Sequence, residues 1–140
     1  MNDVLQYIPH RPPFLFVDRI IECTAERIRT EKTVCADEPY FQGHFPGRPV
    51  MPGVLICEFV FQTGAILMAR RADGAPRRLP VITRIRDVRL KHPVVPGDVI
   101  QADVRLQDHE GPAYYLSGQV AAAGKKILTV EFAAMLTGNL

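Results

Sequence analysis

From Val54 to Arg70 the chain is apolar at nearly every position and holds no proline, a pattern that predicts a helix of about 25 Å. A helix hydrophobic all round cannot lie on the surface of a soluble protein, so the rest of the chain is expected to wrap around it. On either side the pattern changes to strands. Phe14 to Ile21 (FLFVDRII) is a β-branched and aromatic run that reads as one strand. Residues 22–35 alternate imperfectly, with Ile28, Thr30, Lys32 and Val34 on one parity, and read as its antiparallel partner. Beyond the helix, residues 72–78 form a surface connection. Leu79 to Leu90, Val99 to Gln107, Ala113 to Ala122 and Ile127 to Thr137 then read as four further strands, with turns in HPVVPGD and GPA. At the start of the chain, Val4 to Tyr7 suits one helical turn, ended by Pro9 and the PHRPP segment. His10 and Arg11 sit in that loop and read as solvated. Strands in a row after one long buried helix indicate an α+β fold, an antiparallel sheet curled around a helix.

Only Glu58, Gln62 and Thr63 interrupt the apolar run, and Glu58 and Gln62, four apart, share a face. Burial disfavours the charged form of a carboxylate and raises its pKa, as a general acid working near neutral pH requires. Before the helix, Gly43 to Gly53 is a Pro/Gly loop with one titratable group, His44, beside the permanently charged Arg48. The first amides of the helix, after Pro52-Gly53, have no intrahelical acceptors and sit at the positive end of the dipole. Taken singly, Glu58 is as well explained by pairing with an arginine, and His44 by a structural role in its loop. Together they place a base, an oxyanion site and an acid within 15 residues, which fits proton abstraction next to a carbonyl.

Composition bounds the rest. A length of 140 residues suits a single domain, 1–140, with a sizeable core. Seventeen basic against 15 acidic residues give a charge of +2, which argues against a nucleic-acid protein. Cys23, Cys35 and Cys57 are widely spaced and include no CxxC, suggesting neither a disulfide framework nor a zinc site, and reduced thiols fit a cytoplasmic location. The first residues, MNDVLQYIPHR, carry no basic n-region or apolar h-region, so no secretory signal is expected, and no apolar run reaches the roughly 20 residues that span a bilayer.

The segment FQGHFPGRPVMPGVLICE, followed by Gln62 and Thr63-Gly64, resembles the FabZ family, the 3-hydroxyacyl-[acyl-carrier-protein] dehydratases. LQYIPHRPPFLFVDRI at 5–20 and RLKHPVVPGD at 89–98 resemble the same family at matching separations, and the likeness fades after about residue 105. The resemblance implies the hot-dog fold and elimination of water from a 3-hydroxyacyl thioester to a trans-2-enoyl thioester, in fatty acid or related polyketide or aryl-polyene synthesis. It implies no metal or organic cofactor. By resemblance His44 is the base at carbon 2 and Glu58 works on the hydroxyl at carbon 3; in an alternative division His44 handles both protons and Glu58 orients the water. The Gly53 amide is the candidate oxyanion donor, since a residue without Cβ permits close approach. Gln62 either orients Glu58 or is a core amide satisfied by backbone. Tyr40 and Phe41 are expected to pack at the mouth of the site. In this family two subunits pair, the histidine from one meets the acid from the other, and trimers of dimers occur. Glu58, where FabA-type enzymes carry Asp, favours dehydration without isomerisation.

Two departures bear on substrate. Phe59 and Phe61 replace small residues of the family pattern Glu-Ala-Met-Ala-Gln, and Val81 and Arg84 lie where that pattern has a tunnel-gating tyrosine and a glycine. These four are candidates for lining the acyl tunnel, and the two rings could equally pack into the core or dimer interface. The implied partner is an acidic acyl carrier protein bearing a phosphopantetheine arm, and Arg70, Arg71, Arg77 and Arg78 are candidates to meet it, with Arg84, Arg86, Arg89 and Lys91 on the next strand. A hot-dog acyl thioesterase and a non-catalytic synthase subunit are the alternatives, and joint retention of His44 and Glu58 weighs against both.

Overall fold

Alternation at every second position decides which side of each strand meets the helix. The computed structural model describes residues 3–72 and 78–138. The apolar run forms α1 (Gly53–Arg71), 19 residues and so about 28 Å long. Around it lies one sheet of six strands: β1 (Arg19–Cys23), β2 (Arg27–Thr33), β3 (Leu79–Leu90), β4 (Val99–Glu110), β5 (Ala113–Ala122) and β6 (Lys125–Thr137). Their order is β1-β2-β4-β5-β6-β3, and each neighbouring pair is antiparallel. This is the architecture that the pattern of one buried helix and a row of strands predicts.

Ile28 and Thr30 on β2, Ile100, Ala102 and Val104 on β4, Tyr114, Leu116 and Val120 on β5, and Leu128, Val130, Phe132 and Ala134 on β6 are all buried. Val4, Ile8, Phe16 and Val17 join this core from the N-terminal segment, and every residue of α1 from Phe59 to Ala69 is buried. The helix crosses β5 at Gly118, where an added Cβ would strike the side chain of Val60. Thr63 donates to the Phe59 carbonyl (2.8 Å), so the Thr30 hydroxyl donates to Thr63 (2.7 Å), satisfying two hydroxyls deep in the core.

Two expectations need correction. Residues 14–18 do not join the strand assigned to Phe14–Ile21, which begins only at Arg19. The reason is a competing partner: the side chain of Gln62 takes the backbone of Phe14 and Phe16. The proposed partner strand over 22–35 is likewise shorter, 27–33, because Thr24 closes a turn with Arg27.

β3 differs from the other long strands. It pairs on one side with β6, its other edge is free among the described residues, and Val81, Ile85, Val88 and Leu90 are exposed. The register slips twice, and Asp87 takes a left-handed conformation (φ 55°) at the second slip, a bulge that bends the strand.

Candidate active site

The loop that carries His44 is built by its own backbone. Phe45 and Arg48 exchange amide and carbonyl (3.1 and 2.9 Å) across Pro46-Gly47, where Gly47 has φ 75°, the turn position that favours glycine. Val50 then donates to the His44 carbonyl (3.0 Å), and Met51 donates to Val94 beyond β3 (2.8 Å). The His44–Phe45 peptide is cis, and the Phe45 ring stacks on the imidazole at 4.0 Å. His44 is half-buried, and its Nδ1 lies 2.8 Å from the Val50 carbonyl. A carbonyl only accepts, so Nδ1 holds the proton of the neutral ring. The lone pair is therefore on Nε2, the nitrogen left free to act as a base.

Pro52 caps α1 without a side-chain hydrogen bond, and its carbonyl accepts from Leu55 and Ile56 (2.9 and 3.1 Å). The Gly53 and Val54 amides precede the first intrahelical bond and keep their donor capacity. A Cβ on Gly53 would reach Leu90 Cδ2 only at 3.4 Å, ordinary contact, so the fold tolerates a side chain there.

Glu58 stands on the second turn of α1, half-buried, and burial pushes its carboxyl above the usual range while the hydrogen bond from Gln62 pulls the other way. The Gln62 amide has a fixed orientation, because its Oε1 accepts from Phe16 N (2.8 Å) and its Nε2 donates to Phe14 O (2.9 Å). The same Nε2 donates to Glu58 Oε2 at 3.0 Å. Both roles weighed for Gln62 are thus filled at once: it satisfies backbone and it orients the carboxyl.

Within one subunit the described contacts do not join His44 to Glu58; the histidine that approaches Glu58 is His10, with Nε2 3.6 Å from Oε2. That residue, read as solvated from the sequence, was missed. Its only signal was membership of the segment 5–20, and no local pattern shows that a loop 48 residues upstream folds over the helix. Tyr40 and Phe41 pack together (4.4 Å between ring centres), and Tyr40 stands edge-on to Phe16, beside the backbone that Gln62 holds. Of the tunnel candidates, Phe59 is fully buried, Phe61 packs on Phe132 at 5.0 Å, and Val81 and Arg84 are exposed on β3. Arg70 and Arg71 are exposed in the last turn of the helix, where Arg70 donates to the Tyr7 hydroxyl (3.2 Å) and Arg71 to the Ala25 carbonyl, and Arg78, just before β3, is exposed. Arg77 lies outside the described residues.

Residues 8–131 match the FabA-like domain. The chain is 40% identical over 136 residues to the 3-hydroxyacyl-[acyl-carrier-protein] dehydratase FabZ of Anaeromyxobacter dehalogenans, covering 95% of this chain and 87% of that one. It is 40% identical over 139 residues to the FabZ of Aromatoleum aromaticum, covering 97% and 96%. Among solved structures, the dehydratase heterocomplex ApeI:P of Xenorhabdus doucetiae superposes with a TM-score of 0.85 at 18% identity over 99% of this chain and 92% of that one. The PaaI protein of the E. coli phenylacetic acid degradation operon superposes at 0.65 with 14% identity, over 83% and 80%. At these identities the structural likeness shows the hot-dog fold.

Proposed function

This chain belongs to the FabZ family of 3-hydroxyacyl-[acyl-carrier-protein] dehydratases, and we propose that it performs that reaction with His44 and Glu58 drawn from two copies of the chain. His44 Nε2 takes the proton from carbon 2 as the carbon–carbon double bond forms. Charge builds on the thioester oxygen and is held by the Gly53 amide at the positive end of α1. Glu58 gives its proton to the hydroxyl at carbon 3, the carbon–oxygen bond breaks, and water leaves. One proton is taken and one given, so return of the His44 proton to Glu58 resets the site.

The observation that carries this reading is that the two groups are prepared for opposite work. Val50 holds His44 in the tautomer of a base, and burial holds Glu58 toward the protonated form of an acid. Pairing of two copies is supported by the edge of β3 left unpaired among the described residues and by its exposed apolar side chains, on a strand whose end lies against Gly53 through Leu90. The substrate arrives on acyl carrier protein. Its acidic surface is met by the basic end of the helix, with Arg70 twelve residues and so about 18 Å beyond Glu58. The three free thiols suit a reducing cytoplasm. Phe59 and Phe61 stand where the family pattern has small residues, and we assign them, with Val81 and Arg84, to setting the acyl length accepted.

The test is hydration of crotonyl and longer trans-2-enoyl carrier thioesters, followed by loss of enoyl absorbance. Wild type is expected to turn over, with His44→Ala and Glu58→Ala each reduced by roughly 100-fold or more. A folded wild type inert at every chain length overturns the reading.

A further inference from the structure

His10 is held against Glu58 by a loop built for the purpose. The Arg11 guanidinium does not face the site; it donates to the carbonyls of Ile8 (2.8 Å), His10 (2.7 Å) and Leu5 (3.2 Å), tying the loop to itself. Ile8 anchors one end in the core, and Gln62 grips the other through Phe14 and Phe16. The imidazole between these anchors is about as covered as Glu58, 20% against 21% exposed. Its Nδ1 is buried and has no hydrogen-bond partner among the described residues. A neutral imidazole must place its one N–H on one of its two nitrogens, and the acceptor on hand is Glu58 Oε2, 3.6 Å from Nε2. Catalytic hydrogen bonds are often long before substrate closes the site.

Two donors therefore converge on the same oxygen. Gln62 Nε2, oriented by its backbone partners, donates to Oε2 at 3.0 Å, and His10 Nε2 lies 3.6 Å from the same oxygen. Oε2 is the accepting oxygen, which leaves the acid proton to Oε1.

We propose that His10 is a positioning residue for Glu58, clamping Oε2 together with Gln62 so that Oε1 carries the proton given to the substrate hydroxyl. The inference rests on the dehydratase reading and adds to it a third residue, from a different element, that sets the geometry and the working pH of the acid. Burial and the adjacent Arg11 keep the imidazole neutral, below its ordinary range, so it acts as a dipole. Gln62 on the same helix donates to the carboxyl, and the neighbouring Cys57 thiol is pushed up by burial and by Glu58, so it stays neutral.

The experiment compares His10→Leu, of similar bulk without a donor, and His10→Gln, which keeps one, in dehydration of a 3-hydroxybutyryl carrier thioester across pH. The expected result for His10→Leu is a fall in kcat of roughly 10- to 100-fold with KM little changed, while His10→Gln retains most of the rate. A donor to the carboxylate favours its charged form, so its removal moves the basic limb of the kcat profile to higher pH. Carbon-13 titration of the Glu58 carboxyl in the same proteins is expected to move up in His10→Leu alone, a readout independent of turnover. An unmoved Glu58 titration overturns the proposal. Equal losses in the two variants with an unmoved pH limb also overturn it, because they assign His10 to loop packing. If wild type is as inert as Glu58→Ala, the dehydratase reading fails instead.

Discussion

At the scale of single residues, the site uses burial against stability. A carboxyl whose pKa is higher in the folded protein than in the unfolded chain binds its proton more tightly when folded. Stability is then greatest below the ordinary carboxylate value of 4.5 and falls as pH rises through the higher folded value. Glu58 therefore makes the fold weaker at neutral pH than an uncharged group would. Glu58→Gln is expected to raise Tm at pH 7 to 8 and to change it little at pH 4, measured by thermal denaturation at both. A gain of equal size at both pH values would show that charge is not the cause. On the proposed mechanism the same substitution removes the acid, so stability and activity are expected to move in opposite directions at one residue. Gln62 limits the cost, since its hydrogen bond draws the carboxyl back toward the charged form while filling two backbone bonds of the N-terminal segment.

At the scale of elements, the fold depends on how closely α1 can approach β5. Gly118 is the crossing point, and a methyl there meets Val60 with no room between. Gly118→Ala is expected to cost about 1 to 3 kcal/mol in urea denaturation, and Val60→Ala in the same chain to recover part of it, a non-additivity that identifies contact. The helix and the strands β3 and β5 were legible in the sequence at nearly their true bounds, because an apolar run that only Glu58, Gln62 and Thr63 interrupt has few alternatives and Tyr114, Leu116 and Val120 alternate with less buried neighbours. The segment 14–18 was misread for a physical reason: Phe14 to Val17 has strand composition, but its hydrogen bonds go to a side chain 46 to 48 residues away. Lys32 sits on the apolar parity of β2 and is buried all the same, paired with Glu38 at 2.8 Å and set over the Phe16 ring. His44 and Glu58 stood out by residue type on a loop and a helix that local pattern defines. His10 did not, since nothing local distinguishes a loop histidine over a helix from one in water.

At the scale of the whole molecule, the proposed mechanism draws half of each site from each of two subunits. Each subunit's His44 has a free Nε2, burial pushes the carboxyl of its Glu58 above the usual range, and among the described residues no ion pair joins the two within the subunit. A partner subunit paired along β3 would bring the second half. The arithmetic of mixing tests this directly. His44→Ala and Glu58→Ala chains, each inactive, are unfolded and refolded together in equal amounts. If each site takes its histidine from one chain and its acid from the other, a mixed dimer has one intact site and one doubly damaged site. Random pairing makes half the dimers mixed, so about a quarter of wild-type activity returns. A site contained in one chain gives no recovery at any ratio. Ile85→Lys and Val88→Lys on β3 supply the complementary result, placing like charges on an apolar face and converting the protein to monomers by size-exclusion chromatography. In that background the mixed refolding is expected to recover nothing, which ties the returned activity to the pairing of β3 edges rather than to residual turnover of either parent.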